Sequence, residues 1–185
     1  MGKIIFITGG ARSGKSTFAE KYCKDGGENL AYIATSEILD IEMKDRIQKH
    51  RSQRGDQWTT YERSIFLEKY VHDILENHDY VLLDCITMYI SNIMFSQKYD
   101  YEDISMDIVN LIENEIKTSI EEILEIAKKA KGNLVIVSNE IGMGIVPDNR
   151  LSRIYRDYVG RVNQTCAQQA DEVYLVVSSI PVKIK

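Results

Sequence analysis

Residues 9–16 of this 185-residue chain read Gly-Gly-Ala-Arg-Ser-Gly-Lys-Ser, directly after the apolar run Lys-Ile-Ile-Phe-Ile-Thr at 3–8. A glycine, four residues and then Gly-Lys-Ser is the pattern of a phosphate-binding loop, or P-loop, between a strand and a helix. Gly9 and Gly14 permit the tight turn that aims backbone N–H groups at phosphates, and the positive end of the next helix dipole faces the same anions. The stretch therefore predicts an α/β domain that binds a nucleoside triphosphate.

Each residue of this stretch has an expected role. We expect Lys15 to reach the β- and γ-phosphates and to act in catalysis, and Ser16 to bind Mg²⁺ through its hydroxyl. The alternative is a glycine turn that binds nothing, which the strand-like run before it and the helix-like pattern after it disfavour. The predicted phosphate contacts are Gly9, Gly10, Ala11, Arg12, Ser13, Gly14, Lys15 and Ser16.

Composition limits the class of protein. Hydrophobic residues make up 44% of the chain and charged residues 28%, which is typical of one globular domain, here 1–185. The net charge of −5 argues against a nucleic-acid partner. No apolar run approaches the ~18 residues of a membrane span. Three cysteines without a CxxC pair indicate small buried residues in a reducing cytoplasm.

Short apolar runs alternate with helical patterns along the chain. The runs are nearly continuous, as in strands that are buried on both faces, and they lie at 4–7, 30–34, 80–83, 134–137 and 173–177. Amphipathic periodicity predicts helices over 102–131 and 149–169, the second capped by Asp148 or Asn149. The alternation predicts a three-layer α/β sandwich like that of P-loop NTPases, with a mainly parallel sheet. Residues 181–185 are predicted to add a short antiparallel strand.

Polar residues follow several of these runs. Ligands of such sheets bind beyond the carboxyl ends of the strands, so these residues are candidates to border the P-loop. Asp84 ends a buried run and is expected to lie on the Mg²⁺ side of the nucleotide. Its alternative is to cap a helix that starts at Cys85. The other candidates are Thr35, Ser36, Asn139 and Glu140.

A basic segment between the second and third runs carries His50. A neutral imidazole attacks phosphorus well, and neighbouring arginines lower its pKa and hold phosphate oxygens. Composition alone leaves open a second reading, in which this is a solvated helix end. His72 and His78 lack such neighbours and are expected to be structural. The basic neighbours of His50 are Arg46, Lys49, Arg51 and Arg54.

Long motifs beyond the P-loop resemble a known family. They read ITGGARSGKSTFAE, YIATSEILDIEMKDRIQKHRSQR, LLDCIT, SNEIGMGIVPDNRLSRIYRDYVGRVNQ and ADEVYLVVSSIPVKIK. Together they resemble the bifunctional adenosylcobinamide kinase / adenosylcobinamide-phosphate guanylyltransferase family over essentially the whole chain. The match is weakest over 95–131, where only helical character agrees.

The resemblance implies a cytoplasmic enzyme of cobalamin assembly. Such enzymes phosphorylate the aminopropanol hydroxyl of adenosylcobinamide with ATP or GTP, and then transfer GMP from GTP to that phosphate. The second step passes through a guanylylated histidine in the pattern Arg-Ile-x-x-His-x-x-x-Arg. Here the pattern falls on 46–54 and gives the role of nucleophile to His50. Lys49 stands where some members have a second histidine.

The resemblance also implies the remaining contacts. The family forms homotrimers with sites near subunit interfaces. This sequence departs from the family at 51–55, where RSQRG lacks a proline that many members have. No residue around Tyr99 matches a corrinoid contact. The nucleotide contacts beyond the P-loop fall on Ala34, Thr35, Ser36, Arg51, Ser52, Gln53, Arg54, Glu62 and Asp84.

Two other functions compete with this one. A simple P-loop kinase of a small metabolite would need Lys15, Ser16 and Asp84 but not His50. A regulatory GTPase is disfavoured because two of its usual motifs are missing from the expected strand ends. Asn139-Glu140-Ile141-Gly142 stands in place of the guanine-reading motif Asn-Lys-x-Asp. Asp84-Cys-Ile-Thr stands in place of the switch motif Asp-x-x-Gly.

Overall fold

The computed structural model describes residues 1–36 and 57–185. Within these ranges strands and helices alternate, as the sequence predicts, and a short 3₁₀ turn at Leu67–Lys69 precedes the second helix. In chain order the elements are β1 Ile4–Gly9, α1 Lys15–Gly26, β2 Leu30–Ala34, β3 Trp58–Glu62, α2 Val71–Asn77, β4 Tyr80–Asp84, α3 Ile86–Ser96, α4 Met106–Lys129, β5 Asn133–Asn139, α5 Arg150–Gln169, β6 Glu172–Val177 and β7 Ile180–Lys183.

The strands form one sheet in the order β3-β2-β4-β5-β1-β6-β7. Every neighbouring pair is parallel except β6 and β7, which pair antiparallel with Val177 opposite Ile180. The prediction of a mainly parallel sheet with a short antiparallel C-terminal strand is confirmed. Parallel pairing brings the carboxyl ends of β1, β2, β4 and β5 to one edge, which is where ligands of such sheets bind.

Side chains of the sheet alternate between two apolar layers. Ile4 and Phe6 pack into the larger core, which α2 to α5 cover. Ile5 and Ile7 point to the other face and pack with Ala19 and Cys23 of α1. Because strands buried on both faces need apolar residues at consecutive positions, the continuous runs of β1, β4 and β5 follow directly from the three-layer arrangement. No helix within the described ranges is long and apolar enough to cross a membrane.

One strand was not anticipated from the sequence. β3 pairs in parallel with β2 at the edge of the sheet, from Leu30 opposite Trp58 to Ala34 opposite Glu62. Its sequence, Trp-Thr-Thr-Tyr-Glu, has only one buried residue, Trp58. An edge strand covered mainly on one side lacks the continuous apolar run by which the inner strands were recognised.

Side-chain caps define the starts of two of the helices in residues 1–36 and 57–185. The Asn149 side chain accepts a hydrogen bond from the Ser152 N–H, which confirms one of the two predicted caps of α5. The long helix predicted from residue 102 begins at Met106 instead, where Ser105 is the N-cap. Glu102 accepts hydrogen bonds from the backbone N–H groups of Arg150 and Leu151, and so supports the start of α5.

A close turn joins α4 to β5. The Gly132 N–H donates to the carbonyl of Leu75 at 3.0 Å. A Cβ on Gly132 would lie 2.3 Å from the carbonyl oxygen of His78 and 2.5 Å from that of Leu75. Both obstacles are backbone atoms, so no side-chain rotation relieves the contact.

We expect Gly132→Ala to lower the free energy of unfolding by about 1–3 kcal/mol, because backbone must move to admit the methyl group. Gly160→Ala is the matched control: Gly160 is helical, and its Cβ would meet nothing within 4 Å. This variant is expected to raise stability by up to about 1 kcal/mol through helix propensity. Urea unfolding midpoints measure both, and equal midpoints for the two variants would contradict the packing argument.

Candidate nucleotide-binding site

The P-loop spans the gap between β1 and α1 at the carboxyl edge of the sheet. Gly14 has φ 92°, in the left-handed region that favours glycine, and it precedes the first residue of α1. A Cβ on Gly14 would lie 2.6 Å from Ser179 Oγ, and one on Gly9 would lie 2.4 Å from the Val176 carbonyl oxygen. The Ser179 N–H donates to the Ser13 carbonyl at 2.7 Å. The loop is therefore held against β6 and the β6–β7 turn.

Lys15 folds back over this loop. Its Nζ donates to the Gly10 carbonyl oxygen at 2.9 Å, and the residue is only 7% exposed. Burial lowers the pKa of the Lys15 ammonium, and the negative charge of Asp84 opposes that shift. An ammonium has three N–H donors, so the bond to Gly10 leaves donors for phosphate oxygens. The sequence-predicted pair of Lys15 and Asp84 is thus brought within electrostatic reach.

Asp84 closes β4 at the same edge. Its Oδ2 accepts a hydrogen bond from the Tyr32 hydroxyl at 3.1 Å. Helix α3 begins at Ile86 with Cys85 as its N-cap and without a side-chain cap bond. The alternative in which Asp84 caps this helix is therefore wrong, and its carboxylate is directed to other partners.

The chemistry of this edge fits a magnesium ion. Ser16 is half-buried in the first turn of α1 and supplies a hydroxyl oxygen, while Asp84 supplies a carboxylate oxygen. Residues 1–36 and 57–185 contain no group of three or more His, Cys, Asp and Glu side chains placed to hold a metal. Magnesium is commonly bound by one or two protein oxygens together with phosphate and water, so a hydroxyl oxygen and a carboxylate oxygen beside the phosphate loop suit Mg²⁺.

The predicted contacts after β2 are tied to the protein itself. Thr35 is fully buried, and its hydroxyl donates to the Cys85 carbonyl at 2.8 Å and accepts from the Cys85 N–H at 3.0 Å. The Ala34 carbonyl accepts from the Arg63 N–H at 3.0 Å. These bonds join the carboxyl ends of β2, β3 and β4. Ser36, the next residue, is half-buried at the same edge.

A buried polar network supports the strand ends on the other side of Asp84. The Asn139 amide donates to Thr87 Oγ1 at 2.9 Å, and the Tyr155 hydroxyl donates to the Thr87 carbonyl at 3.0 Å. Burial raises the pKa of Tyr155 to about 12, so its hydroxyl keeps its proton at neutral pH. Asn163 completes the network by accepting from the Ser138 hydroxyl at 2.6 Å. Of these five residues, the sequence identifies only Asn139 as a candidate for the site, because it follows a strand.

The remaining residues predicted for the site include some that the structure describes and some that lie outside the described residues. Glu62 ends β3 in register with Ala34, at the same carboxyl edge. Neither described histidine belongs to this edge: His72 bonds to its neighbour Asp73, and His78 lies two residues before β4 begins. The others lie outside the described residues, and they are His50, Arg51, Ser52, Gln53 and Arg54.

Solved structures of other proteins share this fold at low sequence identity. An ATPase of a bacterial type III secretion system matches with a TM-score of 0.54 at 15% identity, covering 95% of this chain and 51% of the other. A KaiC-like protein from Pyrococcus horikoshii OT3 matches with a TM-score of 0.51 at 13% identity, covering 94% and 70%. At these identities the likeness shows the fold alone.

Sequence relatives are much closer. Proteins called bifunctional adenosylcobalamin biosynthesis protein CobU, from Escherichia coli (strain K12) and Salmonella typhimurium (strain LT2), are each 44% identical over 182 residues. Each match covers 98% of this chain and 99% of the relative. The family model described as CobU, cobinamide kinase / cobinamide phosphate guanyltransferase, matches residues 5–184. The chain therefore belongs to the cobinamide kinase / cobinamide phosphate guanyltransferase family.

Proposed function

We propose that this protein catalyses two successive steps of cobalamin assembly. In the first, ATP or GTP phosphorylates the aminopropanol hydroxyl of adenosylcobinamide. In the second, GMP passes from GTP to that phosphate, giving adenosylcobinamide-GDP and pyrophosphate. The observation that supports this most strongly is the buried Lys15 beside Asp84 on a complete P-loop, in a chain that matches bifunctional relatives over 98% of its length.

The phosphorylation step needs positioning and charge stabilisation more than covalent chemistry. Backbone N–H groups of residues 9–16 hold the phosphate chain, and the Lys15 ammonium spans the β- and γ-phosphates. Ser16 and Asp84 would hold Mg²⁺, which neutralises charge on the transferred group when bound. The substrate hydroxyl then attacks the γ-phosphorus, the bond to the β-phosphate oxygen breaks, and the nucleoside diphosphate leaves.

The guanylyl transfer needs a nucleophile on the protein, and His50 is the proposed one. A neutral ring nitrogen of His50 attacks the α-phosphorus of GTP, a P–N bond forms, and pyrophosphate leaves. The phosphate of adenosylcobinamide phosphate then attacks the same phosphorus and releases the histidine. Arg51 and Arg54 stabilise the departing charge in the first half of this exchange.

The topology supports a position of His50 near the phosphates of the bound nucleotide. The chain enters the segment 37–56 from Ser36, at the carboxyl edge that holds Lys15 and Asp84. Further contacts to the guanine nucleotide are proposed around this entrance and at the end of β3. They are Ala34, Thr35, Ser36, Arg51, Ser52, Gln53, Arg54 and Glu62.

The proposal extends to organisation and location. One domain over 1–185 forms a homotrimer. An exposed apolar row on the β6–β7 hairpin and the residue after it supports self-association. Its members Val177, Ile180, Val182 and Ile184 are 53, 66, 47 and 61% exposed. The cytoplasm is the proposed compartment, which agrees with three free cysteines, two of them fully buried.

Lys15→Ala is expected to abolish phosphorylation of adenosylcobinamide, a loss of at least about 100-fold, and to weaken triphosphate binding. The cation that spans the two terminal phosphates is then missing. Lys24→Ala is the matched control, since Lys24 is exposed on the same helix and lies outside the P-loop. Product formation resolved by mass measures both, and an active Lys15→Ala enzyme would remove the P-loop from the mechanism.

Asp84→Asn is expected to slow the Mg²⁺-dependent steps while the fold is retained, because Asn keeps the shape but loses the charge. It should also change the pH profile. Burial already lowers the pKa of Lys15, and the Asp84 charge opposes this, so the variant lowers that pKa further. A lysine loses its proton as pH rises through its pKa, so the alkaline fall of kcat/KM for the nucleotide should move to lower pH. If Asp84→Asn has the activity of the wild type and its kcat/KM falls at the same alkaline pH, this role of Asp84 is excluded.

His50→Ala is expected to lose GMP transfer and to keep appreciable phosphorylation of adenosylcobinamide. The phosphoramidate on the wild-type protein should survive alkali and be destroyed by acid. The measurement is the label retained after α-labelled GTP and an alkaline quench. His72→Ala, which alters an exposed histidine, should label like the wild type, and Arg54→Ala should label more slowly.

Two outcomes would contradict this assignment. Equal labelling of the wild type and His50→Ala would place the nucleophile elsewhere. No labelling of the wild type, with phosphorylation intact, would favour the simple metabolite kinase.

A further inference from the structure

A groove runs along α1, away from the edge that holds Asp84. It encloses about 620 Å³, in the range of small-ligand sites. Gly14 and Ser179 border its P-loop end, Thr17 and Phe18 follow along the helix, and Tyr80 lies among its lining residues beyond them. The same glycine therefore belongs to the phosphate loop and to the groove.

Aromatic rings line this groove. Phe18 packs edge-on against Tyr174 with ring centroids 5.1 Å apart, and Tyr22 contacts the rings of Tyr174 and Tyr80 at 5.9 and 6.2 Å. Phe18 and Tyr22 are half-buried and lie in the groove wall. Aromatic surfaces of this kind stack on nucleobases without regard to their identity.

Charged groups at the rim complement the edge of a purine. Lys21 and Asp25 are exposed, one helical turn apart, and both line the groove. An ammonium donor beside a carboxylate acceptor matches adenine, with its ring nitrogen acceptors and amino donor. The same pair matches guanine, with its carbonyl acceptor and its N–H donors. The helix rises about 1.5 Å per residue, so Lys21 lies about 6 Å beyond Thr17, within reach of a nucleoside that leaves the P-loop.

The P-loop end of the groove and the proposed guanine contacts lie on opposite sides of β1, and the groove continues along α1 to Tyr80 of β4. Ser179 of the groove lies in the turn between β6 and β7, which flank β1 on one side, whereas β3, which ends at Glu62, is four strands away from β1 in the other direction. At about 4.8 Å per strand, that separation is about 19 Å. One base cannot occupy both places.

We propose that the α1 groove holds the ribose and purine base of the nucleoside triphosphate that donates its γ-phosphate, at a position distinct from the guanine contacts around Ala34–Ser36 and Glu62. This rests on the proposed function, in which one P-loop serves two reactions. Because the rim pair accepts either purine, the groove also accounts for the use of ATP or GTP in the first step.

The test compares nucleotide binding with binding of the phosphate chain alone. Phe18→Leu should weaken ATP binding about fivefold or more while tripolyphosphate binding changes less than about twofold, since only the nucleotide carries a base to stack. Lys21→Glu should raise the KM for ATP in phosphorylation, and Lys24→Glu, the same charge change on the same helix outside the groove, should not. The rate of self-guanylylation by GTP should stay within about twofold of wild type in both groove variants.

Photolabelling of the wild-type protein with 8-azido-ATP gives a second measurement that does not depend on a variant folding. Label on peptides that contain Thr17–Asp25 or Ser179–Pro181 supports the groove. Label confined to Ala34–Ser36 or Trp58–Glu62, or equal losses of ATP and tripolyphosphate binding in Phe18→Leu, would overturn it. Groove labelling without phosphorylation of adenosylcobinamide would refute the proposed function and leave the nucleotide groove standing. Phosphorylation of adenosylcobinamide together with photolabel outside the groove would support the proposed function and overturn the groove.

Discussion

The parallel pairing of β4, β5 and β1 is the constraint on which the rest of the site depends. These strands are covered by helices on both faces, so their interiors accept only apolar side chains. Charged and hydrogen-bonding groups are thereby restricted to the strand ends. Parallel register then brings the ends together, with Asp84 beside Val137 and Gly9 beside Asn139. The phosphate loop, its lysine and the carboxylate meet because the sheet excludes them from everywhere else.

The nucleophiles of the two proposed reactions attack different phosphorus atoms of the nucleotide. This difference explains why two base positions would lie on different sides of β1. A kinase step needs the γ-phosphate presented to the substrate, whereas guanylyl transfer needs the α-phosphate presented to His50. A single nucleotide pose exposes one of these atoms well. The P-loop strand β1 lies between the β6–β7 turn, which borders the α1 groove, and the strand ends of β2 and β3. A shared phosphate cradle with two base positions is a physical means of serving both steps.

The features that could be predicted from the sequence are those with a local cause. The apolar runs identified the inner strands, the Gly-Lys-Ser pattern located the loop, and the strand end at Asp84 located its carboxylate. β3 was missed because Trp58 alone among its residues is buried. The network of Thr87, Asn139 and Asn163 could not be foreseen, since it joins two helices to a strand end far apart in sequence. The role of His50 still rests on its motif, because the residue lies outside the described part of the chain.

The β6–β7 turn adds a requirement to the P-loop that the motif does not express. Ser178 and Ser179 both have positive φ, 50° and 66°, in a turn of the kind that usually carries Asn or Gly. A left-handed conformation at a residue with a Cβ costs about 1–2 kcal/mol. The Ser179 N–H bond to Ser13 offsets part of that cost, and the contact places Ser179 against the bare Cα of Gly14. Gly14 therefore serves two purposes: it allows the loop to turn, and it leaves room for the hairpin that forms one wall of the α1 groove. Any side chain at position 14 would disturb the phosphate cradle and the groove together, because the two share this contact.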